Sequence, residues 1–179
     1  MLFPLSELHY PYNEVTSAEG IEGMEPILHV VLYRPEIHPN TGNIARLCAA
    51  NGVALHLVGD LGFRIDDRSV RRAGLDYWPY VDLRREKDLD ELRAHLCTSR
   101  LFFFSARTGC PYTDVEYHEG DCLVFGPESR GLPRELLDQN RDCTVRIPMR
   151  TSHVRSLNLA AAVAIAVYEA LRQFDKKMG

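Results

Sequence analysis

The amino-acid sequence predicts an α/β fold, an open and mostly parallel sheet with helices on both faces. Three observations predict it. Short apolar runs recur at 27–33 (ILHVVLY), 54–58 (ALHLV), 101–104 (LFFF) and 121–125 (DCLVF). Each is too short for a typical helix and too continuous for a strand with one wet face, as expected of strands buried on both sides. Segments with helical spacing separate the runs. Glycine- and proline-rich turns follow several of them directly, where strand-to-helix connections belong.

Taken in order, 27–33 is the first strand. Pro35 and Pro39 then keep the chain extended, and Thr41 and Gly42 open a helix. Ile44, Leu47 and Cys48 share one face of that helix, and Asn51-Gly52 ends it. The second strand is 54–58. Asp66 and Asp67 start a short helix that carries Arg68, Arg71 and Arg72 and stops at Gly74. A weaker third strand spans 77–81, with Pro79 marking it as irregular or an edge. Leu89, Leu92 and Leu96 give 88–96 helical spacing, 101–104 is a strand, and 107–120 is turn-rich. The strand 121–125 leads through 126–131 to a short helix at 133–138.

The stretch 145–173 organises the rest. Val145 and Ile147 form a short strand that Pro148 stops, because proline lacks a ladder donor. A polar loop follows, and Ser156 is placed to cap a helix over 157–171. That helix is apolar on nearly every face and rich in alanine, so it must be covered all round.

At 179 residues the chain has one ordinary domain, read as 27–174, with 1–26 an extension outside the core. A net charge of −4 excludes the whole surface as a general nucleic-acid binder, so RNA contact needs a local basic patch. Five scattered cysteines without a C-x-x-C pair read as reduced thiols of a cytoplasmic protein, and no zinc or other metal site is expected. No apolar run is long enough for a membrane span, and the N-terminus is not a signal peptide.

Ligands of parallel sheets bind where strands end and helices begin. Three such turns are unusual. Asn40-Thr-Gly-Asn-Ile-Ala-Arg46 offers amides and a glycine at a helix start; it suits an anion gripped by Arg46, or is an ordinary helix entry. Phe125-Gly-Pro-Glu-Ser-Arg-Gly-Leu-Pro133 is a rigid loop that brings Glu128 and Arg130 together. Ile147-Pro-Met with Arg155-Ser-Leu-Asn158 could surround a flat polar ring. Neither a dinucleotide nor a Walker fingerprint occurs.

Together the three turns resemble the signature motifs of the SPOUT class of RNA methyltransferases. N-T-G-N-I-A-R-L-C matches the first, L-V-F-G-P-E-S-R-G-L-P the second, and R-I-P-M with R-S-L-N-L-A the third. R-R-A-G-L-D-Y at 71–77 is similar to the subgroup that 2′-O-methylates the wobble cytidine or uridine of leucine tRNAs. The resemblance implies a C-terminal trefoil knot, S-adenosylmethionine bound in it, tRNA as partner and a homodimer. By position it implies cofactor contacts from Phe104, Gly126, Glu128, Gly131, Ile147, Ser156 and Asn158. It implies catalytic roles for Arg46, Asn40, Glu128 and Asn158, and RNA contacts from Arg46, Arg68, Arg71, Arg72, Arg130 and Arg155. Arg46 could act as base or as electrostatic clamp. Other expectations stay open: a different tRNA or rRNA position, or a non-catalytic RNA-binding protein.

Overall fold

The computed structural model describes residues 26–63 and 77–178. Among the described residues seven strands, all paired in parallel, form one sheet: β1 (His29–Tyr33), β2 (Ala54–Val58), β3 (Leu83–Glu86), β4 (Leu101–Phe104), β5 (Cys110–Pro111), β6 (Cys122–Phe125) and β7 (Thr144–Arg146). Their order across the sheet is β3-β2-β1-β6-β4-β7-β5. The α-helices among the described residues are α1 (His38–Asn51), α2 (Leu89–His95), α3 (Arg134–Gln139) and α4 (Leu159–Met178).

Alternation of side chains along each strand divides the core in two. On one face, Val30, Leu32, Leu55, Leu57, Leu123 and Phe125 pack with Ile44 and Cys48 of α1 and with Val163, Val167 and Ala170 of α4. On the other, Val31, Val58, Phe103 and Val124 pack with Leu92 of α2 and with Leu136 and Leu137 of α3. The expected architecture is therefore present, helices on both faces included. Burial pushes the Cys122 thiol up to about 12 and the Cys48 thiol higher still, so neither is a nucleophile.

Four elements differ from the sequence expectation. The 77–81 segment is a 3₁₀ turn, Trp78–Tyr80, and the strand lies five residues later at Leu83–Glu86. Pro79 favours the turn. The charged L-R-R-E segment can be a strand because it lies on the sheet edge, where Arg84 pairs with Asp82. Helix α1 begins at His38, earlier than Thr41, since Pro39 sits in the first turn where a missing N–H costs nothing. It ends as expected, with Gly52 left-handed at φ 63°. Cys110–Pro111, inside the turn-rich segment, adds a two-residue edge strand on β7.

The fourth difference concerns α4. Ser156 does not cap it. Asn158 does, its Oδ1 accepting from the N–H of Ala160 (2.9 Å) and of Ala161 (3.3 Å). Nor do the described residues cover α4 all round. Leu159, Val163, Ala166, Val167, Ala170 and Phe174 are buried, but Ala161, Ile165, Tyr168 and Arg172 lie exposed along one stripe. The helix expected from Asp66 to Gly74, the extension before residue 26 and Arg68, Arg71 and Arg72 lie outside the described residues.

Candidate active site

Because every strand runs the same way, the loops after β1, β4, β6 and β7 leave the sheet at one edge. These loops carry the three unusual turns, and side chains join them directly. Asn40, buried in the first turn of α1, donates from Nδ2 to Glu128 Oε1 (3.0 Å). Its Oδ1 accepts from Asn158 Nδ2 (3.0 Å). One amide therefore binds the second turn and the third at once. Residues 88 and 118 positions apart in sequence meet through it.

Glu128 has further partners. Its Oε2 accepts from the N–H of Glu36 (2.8 Å), and Oε1 accepts from the N–H of Ile37 (3.2 Å). The Ile37 N–H is a donor that the start of α1 would otherwise leave unpaired. With three N–H groups on its two oxygens, Glu128 is a fixed acceptor. Asn158 is equally committed, to Asn40 through nitrogen and to the α4 cap through oxygen.

The 126–131 loop is tight for a steric reason. A Cβ on Gly126 would stand 2.2 Å from the Leu132 nitrogen and 2.3 Å from the Gly131 carbonyl carbon, so no other residue fits. The Gly131 N–H donates to Pro127 O (2.8 Å), and Gly131 is left-handed at φ 72°, which closes the turn. Leu132 is thereby driven into the core beside Val124. The β4 end is bound to β7 by Ser105 N–H donating to Val145 O (2.9 Å). There the Phe104 ring stacks on Phe125, centroids 4.5 Å apart, and is buried. Ile147 is half-buried against the same cluster.

The expected site residues thus fall into groups. Asn40, Glu128 and Asn158 form one hydrogen-bonded unit. Gly126, Gly131, Phe104 and Ile147 shape the strand-end floor. Ser156 and Arg155 lie in the exposed 151–158 loop, and the Arg130 side chain is 81% exposed. Arg46 is not part of the unit. Its guanidinium sits over the Tyr77 ring, 5.4 Å from the centroid, and the Tyr77 hydroxyl donates to Gly42 O (2.9 Å). Sequence reasoning missed Glu36 and Ser129, which bond across the two loops. A lone charge between Pro35 and Pro39 was the available signal for Glu36.

The residues fit an adenosyl group. The aromatic and aliphatic side chains at the ends of β4, β6 and β7, Phe104, Phe125 and Ile147, suit a flat ring.

Comparison with known proteins agrees with this geometry. The family model described as the SpoU rRNA Methylase family matches residues 27–168. The tRNA (cytidine(34)-2′-O)-methyltransferase of Methylovorus glucosotrophus is 46% identical over 147 residues, covering 82% of this chain and 95% of that protein. The protein of the same name from Aeromonas hydrophila is 45% identical over 148 residues, covering 82% and 94%. A solved structure that gives structural insights into the 2-OH methylation of C/U34 on tRNA superposes with a TM-score of 0.77 at 51% identity, over 83% of this chain and 97% of that one. The SpoU methyltransferase AviRb of Streptomyces viridochromogenes, in complex with AdoMet, superposes with a TM-score of 0.73 at 28% identity, over 87% and 64%. On the family model and on relatives of this identity and coverage, the chain belongs to the SpoU methylase family.

Proposed function

We propose that this protein uses S-adenosylmethionine to methylate the ribose 2′-hydroxyl of the wobble nucleotide, position 34, of tRNA, with leucine tRNAs as substrates. The observation that carries it is Asn40, hydrogen-bonded to Glu128 and to Asn158 at once, so that three distant turns share one site. The names and identities of the relatives support the tRNA position.

When bound, the cofactor supplies an activated methyl group by in-line displacement at its sulfonium centre. The chain's residues supply alignment and charge. Gly126, Gly131, Phe104 and Ile147 shape the cofactor's floor, and Ser156 with Glu128 and Asn158 contributes polar contacts. Asn40, Glu128 and Asn158 hold the loops in register. A guanidinium offers N–H donors and no acceptor, so Arg46 acts as the clamp: it holds the neighbouring phosphate and stabilises charge growing on the attacking oxygen. Exposed Arg130 and Arg155 serve the RNA backbone, together with Arg68, Arg71 and Arg72. Since the net charge is −4, these local contacts must carry the affinity, and tRNA binding weakens as salt rises.

The exposed stripe of α4, with Ile165 37% and Tyr168 57% exposed, supports a homodimer in which a second copy covers it. The tight Gly126 turn and the β6-β4-β7 strand order are consistent with a trefoil knot at this end of the sheet. The work of such an enzyme is cytoplasmic.

The test is methyl transfer from radiolabelled S-adenosylmethionine to unmodified leucine tRNA, followed by mapping of the labelled nucleotide. Label on the ribose of nucleotide 34, lost in Arg46→Ala, is the expected result. Label at another position refutes the wobble assignment, and no incorporation refutes the enzyme.

A further inference from the structure

We propose that Glu36 is a positioning residue of the methyl-transfer site, holding the 126–131 loop in register with the entry to α1; its functional half rests on the reading above. Two carboxylates face each other across these loops, and each binds the backbone next to the other. Glu128 accepts from the Glu36 N–H (2.8 Å). Glu36 in return accepts from the Ser129 N–H at Oε2 (3.0 Å) and from the Ser129 hydroxyl at Oε1 (2.9 Å). Bonds that cross in both directions fix the translation and the rotation of one loop on the other. Either carboxylate alone would leave a hinge.

The rest of Glu36 is held as firmly. The Gly62 N–H donates to Pro35 O (2.9 Å). A Cβ at position 62 would come within 2.8 Å of Glu36 Cα, so a third loop packs against the Glu36 backbone. Hydrogen bonds from Ser129 hold the Glu36 carboxyl below its usual range, so the acceptor stays ionised at neutral pH. The Arg130 guanidinium lies 3.8 Å from Glu36 Oε1. That is near enough to orient it and too long for a hydrogen bond, which leaves its donors for an RNA phosphate. None of the three sequence motifs contains Glu36. Its effect on the reaction passes through Ser129, Arg130 and the loop that carries them.

The experiment combines calorimetry with S-adenosylmethionine and amide hydrogen exchange of the 126–132 segment, on the full chain. Glu36→Ala is expected to lose protection over 126–132 with the rest of the chain unchanged, and to bind the cofactor about tenfold to a hundredfold more weakly, the scale on which small misplacement of a site is felt. Glu36→Gln keeps an acceptor oxygen and is expected to restore most of both. A merely structural role would lower the melting temperature without this local pattern or this rescue. Should Glu36→Ala not fold, Ser129→Ala removes the hydroxyl donor from the other side at an exposed residue, and weaker binding with faster exchange is expected there too. Wild-type exchange and affinity in the folded variants overturn the proposal. Absence of cofactor binding by the wild type overturns the functional reading instead, and the exchange data still judge the latch.

Discussion

Two polar networks sit in this small sheet and differ in kind. One joins Glu36, Asn40, Glu128, Ser129 and Asn158 at the strand ends, half open to solvent and bridging loops. The other runs diagonally across β1, β2 and β3 and is sealed from solvent. There His56 Nδ1 donates to Glu86 Oε1 (2.8 Å), and His56 Nε2 shares a hydrogen with His29 Nδ1 (3.0 Å). All three side chains are buried, and Glu86 Oε2 has no partner among the described residues. The first network is made mostly of amides and carboxylates on backbone N–H groups and is partly open to solvent. The second is made of two imidazoles and a carboxyl group and is buried. A buried charge is costly unless fully paired, so the second network bears on stability. The first bears on where loops stand. Substitutions should separate the two roles.

The largest effect is expected in the sealed network. His56→Ala leaves the Glu86 carboxylate buried with neither oxygen bonded by a side chain. Breaking a buried pair from one side costs about 3–5 kcal/mol. Urea unfolding should show a loss of that size at neutral pH, while cofactor affinity per folded molecule stays within twofold. A comparable loss of cofactor affinity at unchanged stability would reverse the roles assigned to the two networks.

Acid should act on the same network. Burial and the neighbouring His56 hold the pKa of His29 at about 4, below the ordinary 6.5; Arg84 also lowers it and Asp82 opposes. Between pH 6.5 and about 4 the unfolded chain binds a proton here that the native protein refuses. Stability is therefore present above 6.5 and falls as pH drops through that window, by about 1.4 kcal/mol per unit and about 3 kcal/mol in all. His29→Gln, with no group to titrate, should flatten that part of the curve. Glu36 also has a lowered pKa, but its window lies below 4.5, so stability lost between 6.5 and 5 reports the sealed network rather than the strand-end one.

The contrast also explains what was legible in the sequence. Strands 54–58 and 101–104 read directly, because burial on both faces leaves an unbroken apolar run. β3 did not, since an edge strand of two arginines and a glutamate carries no apolar signal, and Trp78 and Tyr80 nearby mimic one. The histidines in ILHVVLY and ALHLV were visible. Their meeting was not, because it depends on the register that sets His29 opposite Ala54 and Val31 opposite His56. At the site, Asn40, Glu128 and Asn158 stood out through turn chemistry. Their bonding to one another depends on strand order, which no local pattern encodes. Ser156 was the wrong cap for a related reason. Either side chain can cap a helix locally, and the neighbouring Asn40 amide favours the one two residues later.

The smallest effect on stability should come from the most selective change. Asn158 does two things, capping α4 through Oδ1 and donating to Asn40 through Nδ2. Asn158→Asp keeps the acceptor, and a carboxylate at a helix N-terminus is favourable by a few tenths of a kcal/mol, so the cap survives. The donor is lost. The Asn40 amide must then turn its nitrogen toward position 158, which points its oxygen at Glu128 and replaces a hydrogen bond with repulsion. Stability should shift by less than about 1 kcal/mol, or roughly 2–4 °C in Tm. Methyl transfer should fall about a hundredfold, equal to about 2.7 kcal/mol in the barrier, because the turns that align donor and acceptor are no longer held together. Equal losses in Tm and turnover would mean that the cap alone matters. Full activity would mean that Asn40 holds Glu128 without help from the third turn.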